Sequence, residues 1–166
     1  MTTLARYEQR PLAVGESASA RGELHVAFKV SDTEYALSAE TVLQMESYAG
    51  ATAVPGAAPY IAGIVQIRGK IVPIVDLRVR FGGTPTPIVL DNRVIVGQQG
   101  DRIVGLLVDS AREVVRIAPS QIEPPPQIVG QQAQGFVKAV AKLGERLVML
   151  IDFGKVIGEE RVDVSV

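Results

Sequence analysis

The sequence predicts a mostly β chain folded as two small intertwined lobes of about five strands each, and three observations carry that expectation. Its apolar residues are dominated by β-branched ones, with 24 Val and 13 Ile against 12 Leu. Such side chains are stiff at χ1 and suit a pleated surface better than a helix. The 16 Gly and 10 Pro cut the chain into short runs of strand length. Finally, the two halves overlay without gaps. At an offset of 76 residues YIAGIVQIRGKIVPIVDL falls on FVKAVAKLGERLVMLIDF, so that Tyr60 meets Phe136, Val72 meets Val148 and Asp76 meets Asp152. At an offset of 69, residues 30–45 fall on 99–114, with Val42 on Ala111. An internal duplication of this kind implies two similar β units, each closing on itself to hide its strand edges, that share a core.

Residues 1–22 lack sustained periodicity and are expected to be a flexible tail. Leu24 to Val30 alternates loosely as a strand, and Ser31-Asp32-Thr33 turns it into Glu34 to Leu37. Ser38 to Thr41 suggests a helical turn capped by Ser38. Val42 to Met45 is short and extended, and residues 50–59 form a loop. Ile61 to Ile67 and Ile71 to Val75 flank Arg68-Gly69-Lys70, the pattern of a buried hairpin with cations at its turn. Pro73 cannot donate a ladder hydrogen bond and is expected at an edge or bulge. Asp76 to Phe81 reads as a short helix stopped by Gly82-Gly83. The second half repeats the plan: Arg93 to Val96, a turn at 97–101, Ile103 to Val108, and Ala111 to Ile117. A stiff Pro124-Pro125-Pro126 loop follows. Phe136 to Lys142 and Arg146 to Ile151 then flank a turn at 143–145, and Asp152 to Ile157 is a last helical turn. The domain is expected to span 23–158, with exchange between lobes near 80–92 and a short tail at 159–166.

Composition narrows the function. The absence of cysteine removes disulfides, thiolate metal sites and thiol catalysis. A net charge of −1, 5% aromatics and no Trp argue against a small-barrel module that binds nucleic acid, the runner-up from another class. No apolar run reaches the roughly 18 residues that cross a bilayer, so no direct membrane insertion is expected, and a cytoplasmic protein is. The only histidine, His25, is expected to be a half-exposed strand residue; alone it gives neither a triad nor a zinc site. Asp76 and Asp152 occupy matching positions, and capping of the following helical turns explains both. No catalytic group, metal ligand or cofactor is expected.

Arg68 stands out. An Arg-Gly turn between strongly apolar strands is unusual where Asn-Gly or Asp-Gly would suit a tight hairpin better. A guanidinium projected from such a hairpin suits bidentate capture of a partner's carboxylate or amide. Ile128 and Val129, apolar residues after the proline run, are a second candidate contact.

YIAGIVQIRGKIVPIVDLR, residues 60–78, closely resembles the signature segment of the CheW family of bacterial chemotaxis coupling proteins, and RIVGLLVDSAREVVRI resembles the matching part of its second half. The resemblance covers about residues 23–158. It implies two SH3-like five-stranded barrels around a shared core and a non-enzymatic adaptor that couples the cytoplasmic helical tips of chemoreceptors to a CheA-type histidine kinase within signalling arrays. By similarity, Val42, Arg68 and Ala111 fall on receptor-contact positions in a groove between the lobes. Met45, Tyr60 and Gly63 fall in the kinase-contacting part of the first lobe, and Ile128 on an apolar position that joins adaptors and kinases into rings. Some relatives serve twitching or other chemosensory pathways. Two departures bear on receptor choice: Gln44 stands where an acidic residue is frequent, and Ala111 is smaller than the frequent valine.

Overall fold

A computed structural model describes residues 22–125 and 135–158. Among the described residues eleven strands run in order β1 (Glu23–Val30), β2 (Thr33–Ser38), β3 (Val42–Ser47), β4 (Ile61–Ile67), β5 (Lys70–Asp76), β6 (Arg93–Gln99), β7 (Arg102–Val108), β8 (Ser110–Ile117), β9 (Ile122–Glu123), β10 (Val137–Leu143) and β11 (Arg146–Ile151). Two short helices, α1 (Leu77–Arg80) and α2 (Phe153–Ile157), follow β5 and β11. The strands form a five-stranded sheet in the order β3-β6-β7-β5-β4 and a six-stranded one in the order β8-β1-β2-β11-β10-β9. We call them lobe one and lobe two.

Both lobes curl. In lobe two the outermost strands β8 and β9 are joined by only Ala118 and a 3-10 turn, Pro119–Gln121. The five residue-to-residue steps from Ile117 to Ile122 span at most about 18 Å, less than a flat six-stranded sheet at about 4.8 Å per gap. In lobe one the edge strand β3 ends at Ser47, and five residues later Thr52 bridges Ile64 on the opposite edge strand β4. Each sheet thereby rolls towards a small SH3-like barrel that hides its edges.

The duplication appears in the hydrogen-bond register. Ile74 pairs in parallel with Gly105, and their counterparts Leu150 and Ala36 pair in the same way. Val42 opposite Gly97 repeats as Ala111 opposite Phe28. Even the bulges coincide, at Ile61/Gly63 and at Val137/Ala139. Asp76 N–H donates to the Tyr60 carbonyl at 2.8 Å, and Asp152 N–H to that of Phe136 at 2.8 Å.

The lobes interlock. Lobe one is one continuous stretch, β3 to β7, inserted between β2 and β8 of lobe two. The passages between sheets therefore fall at 39–41 and at Asp109. The exchange is expected near 80–92, but residues 81–92 join α1 to β6 beside β5's own sheet. One core cluster draws on both lobes, with Phe28, Tyr35 and Ile151 from one and Val75, Ile95 and Leu106 from the other.

Other local expectations are corrected. His25 is 5% exposed, not half-exposed, with Nδ1 3.0 Å from the Glu23 carbonyl oxygen. Pro73 lies in β5, which has neighbours on both sides, and not at an edge; the parallel ladder to β7 opens at Ile74, so the missing N–H falls just outside it. Ser38 to Thr41 is a hydrogen-bonded turn without helix, although Ser38 does cap it, its Oγ accepting Glu40 N–H at 3.3 Å.

Candidate functional site

The β4–β5 turn places Arg68 and Gly69 at φ 49° and 81°, a two-residue turn with both φ values positive. Its twist matches that of the strands, which is why the hairpin closes with Ile67 opposite Lys70. Glycine accepts this backbone freely, whereas an arginine there costs about 1–2 kcal/mol. Lobe two supplies an internal control: the residue equivalent to Arg68 is Gly144, at φ 67°. Arg68 is exposed and makes no hydrogen bond or ion pair to any described residue. The strain is thus observed at an arginine with nothing to hold among the described residues.

Counting back along the parallel register puts the Arg68 turn at the same end of lobe one as the β6–β7 turn and the start of β3. At that end a cleft of about 240 Å³ opens between the lobes, lined by Thr41, Gln98 and Gln99 from one side and Ser38, Lys138 and Asp152 from the other. Val42, next to Thr41, is half-buried and packs on the shared core. Ala111 belongs to that core and is 8% exposed, so its side chain offers a partner little surface. In lobe one, Val42, Gln44 and Glu46 are half-buried while Leu43, Met45 and Ser47 face solvent. Met45 is 39% exposed beside Leu43 at 51%.

Tyr60 is half-buried beneath Arg80, whose guanidinium lies 3.9 Å from the Tyr60 ring centre and 4.7 Å from that of Phe136. Arg80 Nε donates to the Val156 carbonyl at 2.8 Å and Nη2 to that of Lys155 at 3.3 Å. Residues 80 and 156 are themselves equivalent at the 76-residue offset, and Arg80 packs on both rings of the matched aromatic pair. Gly63 is buried at φ 148°, and a Cβ there would lie 2.3 Å from the Thr52 carbonyl oxygen that closes the lobe. Ile128 lies outside the described residues. The sequence therefore brings Val42 and Arg68 to one end of lobe one, while Ala111 and Gly63 sit inside the fold.

Three polar clusters escape the sequence. Arg78 donates Nε and Nη2 to the two oxygens of Asp109 at 2.9 and 2.8 Å, at the passage between lobes, which raises the arginine's pKa further. Arg146 binds Glu34 and Glu113 through four contacts of 2.8–3.2 Å. Those hydrogen bonds hold the Glu34 carboxyl below its usual pKa. Arg80 is the third. Only the matched aromatics at 60 and 136 hinted at any of them, because partners 31 to 112 residues away are invisible to local pattern. The Asp pair diverges: Asp76 is buried and accepts Arg78 N–H, Thr86 N–H and Thr86 Oγ at 3.0, 2.9 and 2.6 Å, whereas Asp152 caps Lys155 N–H at 3.1 Å.

Comparison with known proteins gives this geometry a family. The family model described as the CheW-like domain matches residues 25–161. Chemotaxis protein CheW of Bacillus subtilis (strain 168) is 34% identical over 139 residues, covering 84% of this chain and 89% of its own. Chemotaxis protein CheW of Rhizobium meliloti (strain 1021) is 30% identical over 140 residues, covering 84% and 90%. The crystal structure of the scaffolding protein TtCheW from Thermoanaerobacter tengcongensis superposes with a TM-score of 0.74 at 29% identity, over 81% of this chain and 92% of that one. Repeat, interlocked lobes and signature hairpin agree with that match, and the chain belongs to the CheW-like family of chemotaxis proteins.

Proposed function

We propose that the chain is a non-enzymatic adaptor that couples the cytoplasmic helical tips of chemoreceptors to a CheA-type histidine kinase. The observation that carries this reading is Arg68: exposed, unpaired within the described chain, and kept in a left-handed turn where the sister lobe uses glycine. Strain retained at an exposed arginine is a reason to look for a partner. The interlobe cleft at the same end of lobe one supports a helical segment as that partner, contacting Val42 and Arg68, with Ala111 acting through the packing beneath. The kinase docks on the flank of lobe one around Met45 and Tyr60, where Gly63 sets the backbone, and Ile128 extends that contact. The working domain is 23–158, and it acts in the cytoplasm at receptor arrays. No helix among the described residues is long and apolar enough to cross a membrane.

Reconstitution of receptor, kinase and adaptor tests the reading. Arg68→Glu is expected to leave the melting temperature nearly unchanged and to abolish receptor-dependent kinase activation. Normal coupling by that variant would remove Arg68 from the site.

A further inference from the structure

Each lobe has an apolar cluster of its own besides the shared core, and the repeat sets the two clusters in correspondence. Val72, Ile74 and Val94 of lobe one, with Tyr48 packed against them, correspond to Val148, Leu150, His25 and Ile117 of lobe two. The registers agree: His25 faces Ser38 and Val115 as Val94 faces Leu107 and Glu46. Two positions break the match. Lobe two has an imidazole where lobe one has a fully buried valine, and an isoleucine where lobe one has the larger ring of Tyr48. At that place lobe two holds a cavity of about 280 Å³, walled by Ile117, Ile122, Ala139 and Leu150. His25 is in its lining, and the exposed Glu23 and Lys138 stand at its rim. The histidine is 95% buried, being 5% exposed. Its Nδ1 lies 3.0 Å from the Glu23 carbonyl oxygen, which can only accept, so Nδ1 carries the proton. In the neutral ring Nε2 is then a lone-pair acceptor, and it has no hydrogen bond to a described residue. Unlike the Gln44 amide nitrogen, Nε2 is not sealed in, and the cavity is what it opens on.

We propose that this cavity binds a small neutral molecule with an apolar body and a single O–H or N–H donor, the class of phenols, indoles and short alcohols. The aliphatic walls bury the body. The buried acceptor selects the head, because a ligand without a donor leaves Nε2 unpaired away from water. Glu23 and Lys138 carry opposite charges, so the rim favours neither sign of ion. Lobe one shows that the same end of the barrel can be packed with apolar side chains alone; a histidine beside a void is the departure that a ligand explains. The cavity belongs to the lobe that does not carry Arg68, and its ligand is independent of the adaptor reading.

His25 is the only histidine of the chain, so its ring resonances report on the cavity without ambiguity. Phenol, toluene and benzoate are titrated separately into the full chain and followed by 15N NMR of the imidazole and of the backbone amides. Phenol is expected to shift Nε2 saturably with a dissociation constant of about 1 mM. Toluene and benzoate are expected to bind about tenfold more weakly. His25→Val, which copies lobe one, should bring phenol down to the level of toluene, read from the amides of Ala139 and Leu150. Ile122→Trp, at a position 37% exposed, fills the cavity from its rim. It should abolish binding of every probe and leave Tm within about 3 °C of the unaltered chain. Any one of four results overturns the site: no saturable shift with phenol, equal affinities for phenol and toluene, tighter binding of benzoate, or phenol binding that survives Ile122→Trp.

Discussion

Arg68 is where a single side chain sets conformation against use. Replacing it by Asn or Gly suits the positive φ of 49° and is expected to stabilise the protein by about 1 kcal/mol in urea denaturation. The same substitution should lose receptor-dependent kinase activation, so stability and coupling move in opposite directions. The aspartates make a second contrast at this scale. Asp76→Ala strands the Thr86 hydroxyl and amide in a buried position and is expected to cost about 3 kcal/mol. Asp152→Ala removes one cap bond and should cost about 1 kcal/mol. Sequence makes these residues equivalent; burial separates them. Glu34 adds a pH dependence. Its folded pKa is depressed by Arg146, so its stabilising contribution is present above the unfolded value near 4.5 and fades as pH falls through the lower folded value. Arg146→Met should flatten the loss of stability between about pH 5 and pH 3, measured by urea denaturation at each pH.

At the scale of elements, closure depends on backbone approach as much as on side chains. Gly63→Ala would place a Cβ 2.3 Å from the Thr52 carbonyl oxygen and break the bridge that closes lobe one. A loss of more than about 3 kcal/mol is expected. The kinase binding proposed for this flank would then fail through the fold, which amide exchange on β4 would reveal. Strands and turns of this kind were legible because β-branched runs and turn residues are local signals. The 3-10 turn at 119–121 and the two-residue β9 were not, since neither has a period to detect. The helical turn expected at Ser38 to Thr41 shows the same limit. A cap residue is recognisable there, but whether a helix grows from it is decided by the crossing to the other sheet.

For the whole molecule, the overlay at 69 and 76 residues carried the most information. It made Val42 and Ala111 equivalent, and their matching pairings with β6 and β1 follow because a duplicated pattern of apolar positions duplicates register. It could not reveal that lobe one is inserted into lobe two, since sheet membership depends on contacts far apart in sequence. The shared core has a measurable consequence. Leu106→Ala, which empties a fully buried position in a cluster drawn from both lobes, is expected to cost about 3–4 kcal/mol. Probes placed in either lobe should lose structure in one common transition, whereas two separated transitions would show the core to be less continuous than its packing. The insertion also orders events during synthesis. The β1–β2 hairpin leaves the ribosome more than a hundred residues before β11, its neighbour along β2, has been made. Until then it carries an open strand edge in a crowded cell, so nascent chains of this adaptor should be clients of holding chaperones at early lengths and released only near full length.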